Sequence, residues 1–429
     1  MALIDLFLSR LFKRGQFTFI DHKGRSTTYG TPDPSPDFPS VTLRINDSRV
    51  MGEVVRNPAL KIGEAYMDGR VTVEQGDIYD LIRLAKANAP YGRGEGVLDG
   101  NLAVRAVGAV KHRVDRINMA RRSKKNVAHH YDLSDRLYDL FLDRDRQYSC
   151  AYWTDPDGET LDQAQLDKKA HIVAKLAIQR GMRVLDIGCG WGGMALYIHQ
   201  KTGAEVLGVT LSEEQLKVAR RRAEQAGVAD KVKFELIDYR SVTGQFDRIV
   251  SVGMFEHVGP PQYRTFFRKV RELLTEDGVM LLHSIGRQGK PTVTDDWTTK
   301  YIFPGGYNPA LSEIVRAYEG LGLWMTDVEV LRMHYAHTLK QWYERTVAAK
   351  EAIVALYDER FYRMWQFYLA GADAAFRYGG LVNYQVQFAR NRHTLPITRD
   401  YMLGGEKKLG LGQPVKEPEA VAREAQIAK

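Results

Sequence analysis

The stretch Val184-Leu-Asp-Ile-Gly-Cys-Gly-Trp-Gly-Gly193 limits the fold more than any other part of the chain. An apolar segment runs into a glycine turn and then into a helical pattern, so the backbone must leave a strand, turn sharply and open a helix. Gly188, Gly190 and Gly192 remove side chains where main chain approaches a ligand, and the helix N-terminus behind them favours a carboxylate or phosphate. The pattern repeats from Arg183 onward: RVLDIG, EVLGVTLS, KVKFELID, FDRIVSVG and GVMLLHSIG read as strands with helices between them. Trp324 to Leu331 and Leu381 to Ala389 supply two more, the last a candidate for antiparallel pairing. Such alternation predicts an α/β domain whose largely parallel sheet is covered by helices on both faces.

Gly188, Gly190 and Gly193 also spell the G-x-G-x-x-G dinucleotide pattern, a weak signal by itself. Asp186, two residues before the first glycine, separates the readings: it repels a pyrophosphate and welcomes the ammonium of a methionine group. A nicotinamide site also expects an acid about 20 residues further on. Here the second strand ends at Val209-Thr210-Leu211-Ser212, with Gln215 one turn later. The residues therefore point to S-adenosylmethionine; a glycine turn used only for strand-to-helix packing is the plainer alternative.

Residues 1–110 mix short alternating stretches, Ser40–Ile45 and Arg70–Glu74, with prolines at 32, 34, 36 and 39, which predicts a smaller α+β domain. After a loop marked by Gly92, Gly94, Gly96 and Gly100, Asn101 to Lys125 carries eight Lys and Arg against one acid, Asp115. Residues 111–128 read as a basic linker, either a solvated connector or a seat for lipid phosphates. With 61 Lys and Arg against 53 Asp and Glu the net charge is +8, which favours anionic partners. Cys150 and Cys189 have neither disulfide nor zinc-cluster spacing, so no metal is expected and a reducing, cytoplasmic setting is.

No apolar run approaches the roughly 20 residues that span a bilayer. In Met1 to Gly15 the positive charges come late, unlike an export signal. Leu3, Phe7 and Leu11 share a helical face, with Ile4, Leu8 and Phe12 beside it; such a helix docks on its own domain or lies at a membrane interface. Residues 406–429 read as a mobile, charged tail.

Between about His129 and Arg390 the segments HHYDLSDRLYDLFLD, QYSCAYW, VLDIGCGWGG, GVTLSEEQ, DRIVSVGMFEHVG, LLHSIG and HYAHTLKQWYER follow in order. Together they resemble the cyclopropane-fatty-acyl-phospholipid synthase family, relatives of the mycolic acid cyclopropane synthases. The resemblance implies a class I S-adenosylmethionine methyltransferase, a Rossmann-like catalytic domain over 129–405. It implies that Tyr148 and Ser149 lie over the cofactor, Gly188 against its methionine part, Thr210, Leu211 and Gln215 on the ribose side, and Asp238 and Tyr239 around the adenine. It also implies a bicarbonate pocket of Cys150, Glu256, His283 and Tyr335, closed by the backbone of Ile285.

The implied reaction joins the cofactor methyl to the cis double bond of an unsaturated phospholipid acyl chain, passes through a carbocation, and loses a proton to bicarbonate as a cyclopropane closes. Glu256 beside an anion must share a proton, so His283 and Tyr335 are the expected donors. The implied partners are membrane phospholipids, met peripherally at the inner face of the membrane, and the resemblance admits a homodimer. The leading domain favours an intact phospholipid as substrate.

Each site residue has a plainer reading: Cys150 as a small buried hydrophobe, His283 as a core histidine, Tyr335 as the cap of an apolar layer. His129, His130, His334 and His337 read as orienting or structural groups. Tyr301, Phe303, Tyr307, Trp324, Trp342, Tyr343, Phe361, Tyr362, Trp365, Phe367 and Tyr368 read mainly as core, some lining an acyl tunnel with Gln288–Ser312 as its inserted lid. Where some family members carry a cysteine, this chain reads LAGADAAFR, so no thiol acts there. Two alternatives stay open, a lipid methyltransferase that leaves a methyl or methylene branch and a non-catalytic lipid-binding protein. A nucleic-acid enzyme is set aside, since neither an N-P-P-Y motif nor a recognition module occurs.

Overall fold

A computed structural model describes residues 2–92 and 133–413. The linker 111–128, His129, His130 and residues 414–429 lie outside the described residues. The short alternating stretches near the N-terminus form four strands, β1 (Gln16–Ile20), β2 (Ser26–Tyr29), β3 (Ser40–Ile45) and β4 (Val71–Gln75), ordered β2-β1-β3-β4. Helices α1 (Ala2–Leu11), α2 (Val50–Arg56), α3 (Pro58–Met67) and α4 (Ile78–Asn88) accompany them. The period-two burial of β1 and β3 puts Phe17, Phe19, Val41 and Leu43 into one core with Leu11, Phe12 and Leu84, which is the expected α+β unit. The end of the first helix docks on its own domain, since Leu11 and the following Phe12 are buried, whereas Leu6 and Phe7 are 47% and 42% exposed.

The second unit is built on β5 (Arg183–Ile187), β6 (Glu205–Thr210), β7 (Val232–Leu236), β8 (Phe246–Val252), β9 (Leu274–Arg287), β10 (Trp324–Leu331) and β11 (Leu381–Ala389). Their order is β10-β11-β9-β8-β5-β6-β7. Neighbours pair in parallel from β7 to β9, and β11 runs antiparallel to both β9 and β10. The strand order reverses at β5, with β6 on one side and β8 on the other, and such a switch point opens a crevice beyond the strand C-termini.

The remaining helices are α5 (Asp135–Phe141), α6 (Leu161–Leu176), α7 (Gly193–Thr202), α8 (Glu213–Gln225), α9 (Tyr263–Leu273), α10 (Asp296–Tyr301), α11 (Leu311–Tyr318), α12 (His334–Ala348), α13 (Lys350–Leu356), α14 (Glu359–Arg377) and α15 (Asp400–Leu409). Thr160 caps α6 and Ser212 caps α8, each hydroxyl accepting a main-chain N–H of the first turn. The N-terminal unit docks on α10, α12 and α14. Tyr79 donates to Asp373 at 2.8 Å and Tyr343 to Asp77 at 3.1 Å, while Lys300 pairs with Glu64 at 2.6 Å.

Two expectations are corrected. The tail does not begin at 406, because α15 crosses that position: Glu406 bonds His171 of α6 at 2.6 Å, and the Gly412 N–H reaches Asp167 at 3.0 Å. Trp324 is not core either. It sits on edge strand β10, 46% exposed, with the Arg392 guanidinium 4.1 Å from its ring centre.

Candidate active site

The crevice at the switch point is an open cleft of about 1190 Å³, solvent mouth included, which is ample for a nucleoside carrying an amino acid. Tyr148, Ser149, Asp186, Gly188, Gly190, Thr210, Leu211, Gln215, Asp238 and Tyr239, all expected at the cofactor, line it. Gly188 has φ +85 and an added Cβ there would meet Met254 at 2.8 Å, so the turn depends on glycine. Gly192 is the exception. It does not line the cleft; with φ +84, its missing Cβ leaves room for Phe234 at 2.7 Å and Ala219 at 3.0 Å, which is strand-to-helix packing.

Asp186 supplies the charge. It is 2% exposed, its Oδ2 has no hydrogen-bond partner among the described residues, and burial raises its carboxyl to about 7. An orphaned acceptor of this kind suits an ammonium ligand, so the cleft fits the amino-acid end of S-adenosylmethionine. At the other end Asp238 is held by Arg240, Nε to Oδ1 at 2.8 Å, and Tyr239 packs edge-on against Phe266. Thr210 donates to Gln215 Oε1 at 3.2 Å, which ties the end of β6 to the first turn of α8.

Beside the cleft lies a second compartment of the fold, a close-packed cluster of buried side chains. Cys150, Tyr335, Trp342, Trp365 and Phe376 are buried in one cluster, and Tyr148, Ile285 and Phe303 pack against it. Tyr335 lies 4.8 Å from Phe376 between ring centres, and Tyr148 stacks on Trp342 at 5.2 Å. Glu256 reaches the rim: its Oε1 accepts the Ile285 N–H at 2.6 Å, its Oε2 is buried without a partner among the described residues, and burial raises the carboxyl to about 7. The Cys150 thiol is pushed upward by burial and donates only to the neighbouring Ala151 carbonyl at 3.3 Å, so it stays neutral.

His283 shares its face of β9 with Ile285. Its Nε2 lies 2.9 Å from the Asn383 amide and its Nδ1 3.2 Å from that of Gln385. Burial holds the ring neutral, and a neutral imidazole carries one N–H, so one amide presents its oxygen. Gln385 Oε1, buried and otherwise unpartnered, can turn to do so. Both ring nitrogens are thereby taken, and donation from His283 to a bound anion requires one amide to give way.

A family model described as mycolic acid cyclopropane synthetase matches residues 118–386, and one described as a domain of unknown function (DUF7884) matches 5–91. The cyclopropane-fatty-acyl-phospholipid synthase of Escherichia coli K12 is 39% identical over 348 residues, 81% of this chain and 87% of that protein. A probable fatty acid methyltransferase of Pseudomonas putida is 36% identical over 375 residues, 85% of this chain and 92% of that one. Among solved structures, the mycolic acid cyclopropane synthase CmaA1 complexed with SAH and CTAB is 34% identical, with TM-score 0.58, over 62% of this chain and 98% of that one.

The chain belongs to the mycolic acid cyclopropane synthetase family. Membership makes it an S-adenosylmethionine-dependent methyltransferase, and the seven-stranded sheet is the class I fold of that group. In this family member the matched region takes in the whole described cleft, and the N-terminal unit falls in the separate match.

Several functional candidates escaped the sequence reading. Arg146, Gln147, Met254, His257 and Gln262 also line the cleft, and His257 is held to about 4 by burial, hence neutral. Gln147 lies inside the QYSCAYW segment, and Met254 and His257 inside DRIVSVGMFEHVG, which is the available signal. Lys168 had none: α6 reads as a polar surface helix, yet 14 of its 16 residues are buried beneath the sheet, the 147–153 loop and α15.

Proposed function

We propose that the chain is a cyclopropane-fatty-acyl-phospholipid synthase, adding the methyl carbon of S-adenosylmethionine across a cis double bond in a phospholipid acyl chain. The cofactor, when bound in the cleft, supplies an electrophilic methyl group. The π pair of the double bond would take that carbon as its bond to the sulfonium sulfur breaks, so that S-adenosylhomocysteine leaves and a carbocation stands on the acyl chain; loss of one methyl proton to a base lets the ring close. Asp186 holds the ammonium end, Gly188 admits the close main-chain approach, and Thr210 and Gln215 hold the ribose side. The faces of Tyr148, Tyr335 and Trp342 stabilise positive charge by about 0.5 to 2 kcal/mol each.

The observation that carries the reading is Glu256, a buried carboxyl raised to about 7 at the rim of an aromatic compartment, with one oxygen on the Ile285 N–H and the other unpaired. Such a group holds or releases a proton near neutrality, as the final step needs. Glu256 Oε2, carrying the proton that its raised carboxyl can hold, is the group that would donate to bicarbonate, which would supply a base there, while the Ile285 N–H fixes the other carboxyl oxygen. Cys150 and Tyr335 wall that place, and His283 braces it through Asn383 and Gln385. On this reading the enzyme works peripherally on phospholipids at the inner, cytoplasmic face of the membrane, with the exposed Leu6 and Phe7 of α1 toward the lipid. A homodimer is compatible with it.

Expression in a host that lacks cyclopropane lipids, followed by proton NMR of the extracted phospholipid, tests the proposal: ring protons are expected, and unchanged unsaturated chains would sink it. The similarity to a protein named as a fatty acid methyltransferase keeps a second reading, a methyl- or methylene-branched product. A methylene branch adds one CH₂ as a ring does, so exomethylene signals rather than mass identify it, whereas a saturated methyl branch needs two further hydrogens from a reductant and is heavier by that amount.

A further inference from the structure

Lys168 lies on α6 behind the cleft wall and is fully buried. Its Nζ donates to Ser149 Oγ at 2.8 Å and to Gln147 Oε1 at 2.7 Å. One turn earlier, Gln165 Nε2 donates to the carbonyls of Ser149 at 2.9 Å and Gln147 at 3.1 Å, so one helix face grips both ends of the Gln147-Tyr148-Ser149 segment. The direction of these bonds matters. An ammonium has three donors and no acceptor, so Ser149 Oγ must accept from Lys168 and its own proton points elsewhere. Gln147 is oriented in the same way: its oxygen faces Lys168 and its Nε2 donates one of its two N–H groups to Asp145 at 3.0 Å.

A bound amino-acid group needs one acceptor and one donor. Asp186 is the acceptor for its ammonium. Its carboxylate accepts only, and the nearby main-chain N–H groups of Gly188 and Cys189 are already committed to the Val209 carbonyl at 2.9 and 3.0 Å. Among the described lining residues, the Arg146 guanidinium is held by Asp139 at 2.6 and 2.7 Å, and the Ser149 hydroxyl keeps a proton to give. We propose that Lys168 is a positioning residue: it fixes Ser149 O–H as a donor toward the carboxylate of the cofactor's amino-acid group and places a buried positive charge behind that bond. Lys168 touches no ligand itself. Burial lowers its ammonium only to about 8, so it stays largely charged at neutrality. The inference rests on the cofactor reading given above.

Calorimetry on the full chain with two ligands tests it, S-adenosylhomocysteine and 5′-deoxy-5′-methylthioadenosine, which lacks the amino-acid group. Lys168→Met is expected to weaken S-adenosylhomocysteine by about tenfold or more, the scale of a charge-assisted hydrogen bond, and to leave methylthioadenosine within about twofold. Ser149→Ala should show the same selectivity, and the double variant should bind no worse than Lys168→Met. Equal losses for both ligands, or no loss for either, overturn the assignment. Should Lys168→Met fail to fold, Ser149→Ala decides alone: unchanged S-adenosylhomocysteine affinity refutes the proposal. If the unaltered protein binds neither ligand, the cofactor reading falls and this inference with it.

Discussion

The cleft and the close-packed compartment meet at Tyr148 and are built in opposite ways. The cleft is made of backbone at the ends of adjacent parallel strands, with one unpaired carboxylate, Asp186, to set its polarity. The compartment is made of side chains drawn from distant parts of the chain, Cys150, Tyr335, Trp342, Trp365 and Phe376, with Ile285 packed against them and Glu256 bonded to the Ile285 N–H. Binding a ligand at strand ends needs only the right turn, whereas excluding water around a carbocation needs many large side chains brought together. The first region should therefore control affinity and the second turnover.

The sharpest way to break that division is Glu256→Gln, which preserves an acceptor for the Ile285 N–H and removes the ionisable group. Turnover is expected to fall about 10³-fold, within the usual range for losing a general acid or base. Affinity for S-adenosylhomocysteine should stay within about twofold. Parallel loss of affinity in calorimetry would mean that the two regions act as one.

Asp186→Asn probes the other side and should reverse the pattern. Losing a charge-assisted bond weakens S-adenosylhomocysteine by roughly 10 to 100-fold. Stability should move the opposite way. The Asp186 carboxyl stands near 7 in the folded chain against 3.8 as its ordinary value, so the folded state holds the proton more tightly. A raised carboxyl favours the fold below pH 4 and costs stability progressively as pH rises to about 7. Free of ligand, Asp186→Asn should match the unaltered protein near pH 4 and melt higher above pH 7, by an amount on the order of 2 to 4 kcal/mol. Thermal melts at both pH values check this, and a variant that melts lower at pH 8 would show that Asp186 has a partner in the folded chain.

The same division explains what was legible beforehand. The strand order and the cleft follow from V-L-D-I-G-C-G-W-G and the alternation after it, because period and glycine placement are local properties. Gly192 reads as a cofactor glycine because sequence alone does not tell a glycine that yields to a ligand from one that yields to Phe234. The compartment was legible only through family resemblance, since nothing local links Cys150 to Tyr335. Burial of α6 was invisible: Gln163, Gln165, Asp167, Lys168, His171 and Lys175 are polar, yet each is hydrogen-bonded inside the fold, so its hydropathy resembles that of a surface helix. The boundary at 406 failed for a related reason, because Glu406 reads as a tail charge until His171 is seen across from it.

Gly192→Ala sharpens the distinction within the glycine turn. A side chain at φ +84 facing Phe234 and Ala219 is strained, at a cost of about 1 to 3 kcal/mol. The melting temperature should fall while S-adenosylhomocysteine affinity stays within about twofold. A selective affinity loss without a thermal shift would return Gly192 to the ligand side.

Cys150 should give the smallest effect, although the resemblance places it in the bicarbonate pocket. Its thiol is buried, held neutral and bonded only to the next carbonyl, so it has neither the charge nor the access of a nucleophile. What it can contribute is volume against the aromatic cluster and the position of its main chain. Cys150→Ala keeps the main chain and removes one sulfur, so turnover should fall by no more than about threefold and stability by about 1 kcal/mol. The folded protein should also resist iodoacetamide at Cys150, read by mass spectrometry. Rapid alkylation with matching loss of turnover would mean that the compartment opens to solvent, and the contrast between an open cleft and a close-packed compartment would have to be given up.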